Sequence, residues 1–111
     1  MIKTTTIAIL VLLMAGDAYA FTARDLRLLC ADKSDADVSM CIGYINGVSD
    51  TLGRAGLVCP LTNRYELAPK AVIGYINANP LFLDRAAVEV ATVALREAFP
   101  CREQEKLDGS Q

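Results

Sequence analysis

The chain has 111 residues, a formal charge of −2, four cysteines and no histidine. That length supports one domain with a modest core. The lack of histidine removes Ser–His, Cys–His and His–metal chemistry at once. A charge so close to zero excludes a polyanion-binding surface, so nucleic acid is not an expected partner.

Residues 1–20 read as an export signal. Lys3 supplies a positive start, Thr6 to Ala15 form an apolar run, and Ala18-Tyr19-Ala20 is a small-x-small cleavage site. The run is too short for a bilayer, which needs about 20 apolar residues. No cysteine follows the cleavage site, so a lipoprotein does not fit. The expected division is a signal peptide at 1–20, a helical domain at 21–101 and a polar flexible tail at 102–111. After cleavage no membrane segment remains. All four cysteines lie in the mature part, and an even count in a small exported domain reads as two disulfides. No C-x-x-C pair exists, so neither a metal nor a cofactor is expected.

The mature chain predicts four helices. Thr22 caps the first, with Asp25 closing a capping box, and Leu26, Leu28 and Leu29 form its apolar side. It ends near Cys30-Ala31. Asp32 to Asp37 form a polar loop in which Asp35 or Asp37 caps the next helix. The second helix runs from about Val38 to Gly56, with Ile42, Ile45, Val48, Leu52 and Ala55 on one face. Gly43 and Gly47 lie beside that face and suggest close approach of another backbone. Cys59-Pro60 ends the helix. Asn63 and Glu66 offer a second capping box, over an irregular or single-turn segment at 62–67. Pro69 suits a first turn but not a helix interior, which places the third helix at 68–78, stopped by Asn79-Pro80. Asp84 caps the fourth, over 85–98. There Arg85, Glu89, Thr92 and Arg96 form a polar stripe opposite Ala87, Val90, Ala91, Ala94 and Ala98. Val88, Val93 and Leu95 widen the apolar surface, which implies two packing neighbours or a partner chain. Ile42-Gly43-Tyr44-Ile45-Asn46 recurs as Ile73-Gly74-Tyr75-Ile76-Asn77, two helices solving the same packing problem. Tyr44 and Tyr75 read as core or rim aromatics. The fold class is all-α, a small four-helix up-down bundle stapled by two disulfides.

Helix length ranks the three cysteine connectivities. Cys41 and Cys59 bracket the second helix and stand roughly 27 Å apart at about 1.5 Å rise per residue. A disulfide needs Cα atoms within about 7 Å. Cys41–Cys59 is therefore excluded, and Cys30–Cys101 falls with it. Short connections run helices two, three and four up, down and up. Cys59 and Cys101 then share one end, and Cys30 and Cys41 flank the other. The favoured pairing is Cys30–Cys41 with Cys59–Cys101. In the chain-entropy model, loops of about 12 and 43 residues contribute roughly 2.8 and 4 kcal/mol.

No catalytic residue is expected. The clustered Asp32, Asp35 and Asp37 are explained by helix capping. A calcium loop starting at Asp32 or Asp35 lacks glycine at its sixth position and glutamate at its twelfth. Asn46, Asp50 and Arg54 line one strip of the second helix. They read either as a solvated stripe with an Asp50–Arg54 pair or as polar contacts in a partner interface.

Cys41-x-Gly43-Tyr44-Ile45-x-Gly47-x-x-Asp50, Cys59-Pro60, Tyr75-Ile76 with Asn79-Pro80, and Ala94-Leu95-x-x-Ala98-Phe99-Pro100-Cys101 together form an ordered pattern over nearly all of 26–101. This set resembles the Rap/Tai immunity family, exported proteins that protect bacteria from amidase effectors of type VI secretion. Pro69 and the short loop before it depart from that pattern. The resemblance implies an all-helical periplasmic protein, often a homodimer, that binds a papain-like peptidoglycan amidase and occludes its active cleft. It does not say which residues touch a toxin. From the residues, the expected contact is the loop Leu61–Leu67, stapled at Cys59 and carrying Asn63, Arg64, Tyr65 and Glu66 outward, since Arg and Tyr are enriched in interface hot spots. Asn46 and Asp50 join them as partner-binding candidates.

Two other readings stand beside this one. A periplasmic helical chaperone or acid-stress protein would need carboxylates that sense a pH near 4, because no histidine offers a trigger near neutrality. An enzyme would need activity on peptidoglycan without a partner.

Overall fold

The structure, a computed structural model, describes residues 21–59 and 63–101. The signal segment at 1–20, the tail at 102–111 and residues 60–62, which include the first two of the expected contact loop, lie outside the described residues. Among the described residues four helices are present: α1 Ala23–Ala31, α2 Asp35–Arg54, α3 Arg64–Ala78 and α4 Ala87–Ala98, with a 3-10 turn at Pro80–Phe82. They pack around one core built from Leu26, Ile45, Leu52, Val58, Val72, Ile76, Val90, Leu95 and Phe99. Between these, Ala23, Ala68, Ala87, Ala91 and Ala94 are buried and let the helices close up. The four-helix, two-disulfide fold class is as expected.

The capping box of α1 is present. Asp25 N–H donates to Thr22 Oγ1 at 3.2 Å, and Thr22 N–H donates to Asp25 Oδ2 at 3.0 Å. Leu26 is buried, whereas Leu28 points to solvent. Helix α2 starts earlier than expected. Ser34, not Asp35 or Asp37, is its N-cap and accepts from Asp37 N–H at 3.3 Å. The two aspartates instead lie in the first turn, where their charge favours the helix N-terminus. The helix also stops earlier. Gly56 has φ +74°, and its N–H bonds Gly53 O at 3.1 Å while Leu57 N–H bonds Leu52 O at 2.9 Å. That is a Schellman close, which needs a residue able to turn left-handed. The α2 face differs in detail from the expected one. Cys41, Ile45, Asn46, Ser49 and Leu52 are buried, and Ile42 and Ala55 are exposed. Nothing lies within 4 Å of a Cβ built on Gly43 or Gly47. Among the described residues no backbone packs closely there.

The expected capping of α4 by Asp84 is overturned. Its N-cap is Ala86, without a side-chain bond. The first helical donor, Ala87 N–H, goes to Phe21 O at 2.8 Å, and the start of α1 is served in return, with Ala23 N–H on Arg85 O and Arg24 N–H on Leu83 O, both at 2.9 Å. Two helix starts therefore meet and satisfy donors that have no partner inside their own helices. Asp84 is left to pair with Arg24 at 3.2 Å.

The disulfides pair as helix length and the up-down-up order favoured. Cys30–Cys41 has a Cα separation of 5.1 Å, and Cys59–Cys101 one of 5.0 Å. Cys59 N–H also donates to Phe99 O at 3.0 Å, tying the end of α4 to the segment after α2. The second bond closes the longer loop, with a sequence separation of 42 against 11. In urea titrations, replacing Cys59 and Cys101 by alanine should cost more stability than replacing Cys30 and Cys41, by about 1 kcal/mol. An equal or reversed order would show that chain entropy is not what the bonds supply.

Candidate functional site

Helix α3 begins four residues before the expected position and holds Pro69 inside it. A proline there has no N–H for the carbonyl four residues back, and its ring pushes that carbonyl outward. The carbonyl belongs to Tyr65. It is met instead by the side-chain amide of Asn46 on α2, whose Nδ2 donates to Tyr65 O at 3.2 Å. The expected capping box at the same helix start does not form. Asn63 occupies the N-cap position without a side-chain bond, and its backbone carbonyl accepts from Glu66 and Leu67 N–H, both at 3.1 Å.

One turn further along α2, Asp50 faces the same helix start. Its Oδ1 and Oδ2 both accept from the Tyr65 hydroxyl at 3.1 Å, and Oδ1 pairs with Arg64 Nη2 at 3.5 Å. The expected Asp50–Arg54 pair is replaced by these contacts, because α3 brings a guanidinium and a phenol from another helix. Arg64 is seated over Gly53, where a Cβ would lie 3.1 Å from Arg64 Nη1. The missing side chain at Gly53 lets the guanidinium lie against α2, leaving the Arg64 side chain 15% exposed. Tyr65, by contrast, remains 60% exposed. Asp50, Gly53, Arg54 and Arg64 line a shallow open hollow beside it.

Of the six partner-binding candidates, Asn46, Asp50, Arg64 and Tyr65 are thus joined in one cluster. Asn63 and Glu66 flank it on exposed positions. Asn46 is buried, at 7% exposure, so it holds the cluster from beneath rather than facing solvent. The echo of Ile42–Asn46 in Ile73–Asn77 makes the contrast clear. Ile45 and Ile76 are both buried, whereas Asn77 is exposed. Among the described residues, it is the first asparagine that bonds a neighbouring helix. Sequence reasoning missed Gly53, whose signal was its position three residues after Asp50. It also missed the turn at Pro80–Phe82, where Leu81 is 92% exposed. There the Phe82 ring stacks on Tyr75 with centroids 6.4 Å apart, and Arg85 lies 4.7 Å over it.

Hydrogen bonding sets the ionisation of the exposed groups. Donation to Asp50, reinforced by that carboxylate's charge, holds the Tyr65 phenol above its ordinary value, while Arg64 pulls weakly the other way. At the start of α2, the Ser34 backbone N–H draws Asp32 down, and a hydrogen bond with Asp32 raises Asp37. Those two carboxylates share a cap, which accounts for them without chemistry. Among the described residues no group of three or more His, Cys, Asp or Glu is placed to hold a metal ion, and no helix is long and apolar enough to cross a membrane.

A small stapled helical domain that presents a braced tyrosine and arginine at a helix start has the build of a protein-binding domain. The chain matches the family model of the Rap1a immunity proteins over residues 22–101 and belongs to that family. The matched span runs from the α1 cap to the last cysteine. Membership implies immunity against effectors and a protein effector as partner. No match was found among curated proteins or among solved structures.

Only the neutral phenol of Tyr65 can donate to Asp50. The contact is complete below pH about 10 and is lost as pH rises through the raised value. A residue-resolved NMR titration should show Tyr65 ionising above 10, the ordinary value, and Asp50→Asn should bring it down. A Tyr65 that titrates identically in Asp50→Asn would contradict the bond.

Proposed function

We propose that this protein is exported to the periplasm by a cleaved signal at 1–20. There it neutralises a peptidoglycan amidase effector by covering the enzyme's active cleft. The observation that carries the reading is family membership joined to a braced surface: Tyr65 is exposed while Asp50 and Asn46 hold its ring and backbone. Interfaces concentrate their energy in such anchors, because a side chain already held in place loses little entropy on binding. Arg64 offers a forked donor to carboxylates or backbone carbonyls of the partner. Asn63 and Glu66 complete the rim. The amidase class and the homodimeric state come from the resemblance carried by the four-cysteine pattern.

The test is direct. The purified protein should form a complex with a secreted hydrolase encoded beside it and suppress that enzyme's cleavage of peptidoglycan. Arg64→Ala and Tyr65→Ala should each weaken the complex by about 2 kcal/mol, roughly thirty-fold, in calorimetry. Asn63→Ala and Glu66→Ala should cost less. The reading fails if no neighbouring gene encodes such a hydrolase and deletion leaves cells unharmed by kin.

A further inference from the structure

We infer that Asn46 is a positioning residue that stands in for the backbone donor missing at Pro69, and that this substitution sets the first turn of α3. The inference deepens the reading above and rests on it only where binding is concerned. An α-helix is held by N–H groups bonded to carbonyls four residues back. At position 69 that donor is absent, and the orphaned acceptor is Tyr65 O. A carbonyl facing the interior without a partner is costly. Asn46 projects from the buried side of α2 and places Nδ2 3.2 Å from that oxygen. The orientation of its amide is settled by chemistry, since a carbonyl can only accept and only the NH₂ end can donate.

The geometry explains three further facts. Helix α3 starts at Arg64, ahead of its proline, because the donor comes from outside the helix. The residue whose carbonyl is held is also the one whose hydroxyl reaches Asp50, so its backbone and its ring are fixed to the same helix. The other end of the Asn46 amide, Oδ1, is buried and has no partner among the described residues. An apolar residue there would avoid that orphaned oxygen but would leave Tyr65 O without a donor. The donor is what the position supplies.

The experiment restores the missing N–H. Asn46→Leu keeps the size of the side chain and removes the donor. In it, exchange protection of the Leu67 and Ala68 amides should fall about ten-fold, the loss of one net hydrogen bond. The Tyr65 phenol should also return toward its ordinary titration as its hold on Asp50 loosens. Adding Pro69→Ala supplies a backbone donor to Tyr65 O. The double variant should recover protection and the Tyr65 titration to within about three-fold of the parent, even where Asn46→Leu alone folds poorly. Pro69→Ala alone should lose nothing. Unchanged exchange in Asn46→Leu, or a double variant that stays as disordered as the single one, overturns the inference. These readouts use the free protein. Affinity for the purified neighbouring hydrolase, measured on the same variants, follows them if the α3 start is the contact. If it stays constant while they move, the contact lies elsewhere and the positioning role stands.

Discussion

Two covalent ties, one near each end of α2, determine where the other elements can stand. Cys41 in its second turn holds the end of α1, and Cys59, just past its close, holds the end of α4. The core between them is small and rich in alanine, which packs closely but removes little apolar area from water per residue. A domain of this size commonly needs such staples. The two N-termini of α1 and α4 then meet and exchange carbonyls through Phe21, Leu83 and Arg85. Helix α2 with its ties forms a frame, and α1 and α4 are each fastened to it by a disulfide and to each other at their N-termini.

Helix α3 is the exception, because no disulfide reaches it. Apolar contact from Ala68, Val72 and Ile76 seats its inner face. Its first turn is placed by three residues of α2: Asn46 beneath the Tyr65 carbonyl, Asp50 on the phenol and guanidinium, and Gly53 under the Arg64 side chain. These are directional contacts, and together they hold the Tyr65 ring outward and lay the Arg64 guanidinium against α2. On the proposed reading, this seam is where structure and function join. The frame supplies rigidity, and the seam leaves an exposed Tyr65 and the edge of Arg64 with little freedom to lose.

Much of the fold could be read from local pattern and length. The Thr22–Asp25 box, the apolar periods and the disulfide pairing all follow from short-range rules and the rise of a helix. The failures share one cause, a partner distant in sequence. Pro69 argued for a late start to α3 because the donor that replaces its N–H comes from Asn46. Asp84 looked like the cap of α4 because nothing local shows that Phe21 O reaches Ala87. Asp50 and Arg54 looked like a pair because the competing Arg64 and Tyr65 come from another helix. The candidate site was legible as a set of residues. The division of labour within it, with Asn46 inside and Tyr65 outside, was not. A proline six positions into a helix leaves one predictable carbonyl wanting a donor, and that was the usable clue.

The central claim is that the seam between α2 and the start of α3 is the face that meets the effector. Hydrogen exchange of the protein alone and in complex with the neighbouring hydrolase tests it most directly. The account expects new protection at residues 63–70 and on α2 around Asp50 and Arg54. Protection confined to the turn at Pro80–Phe82 and the start of α4, with residues 63–70 unchanged, would contradict it.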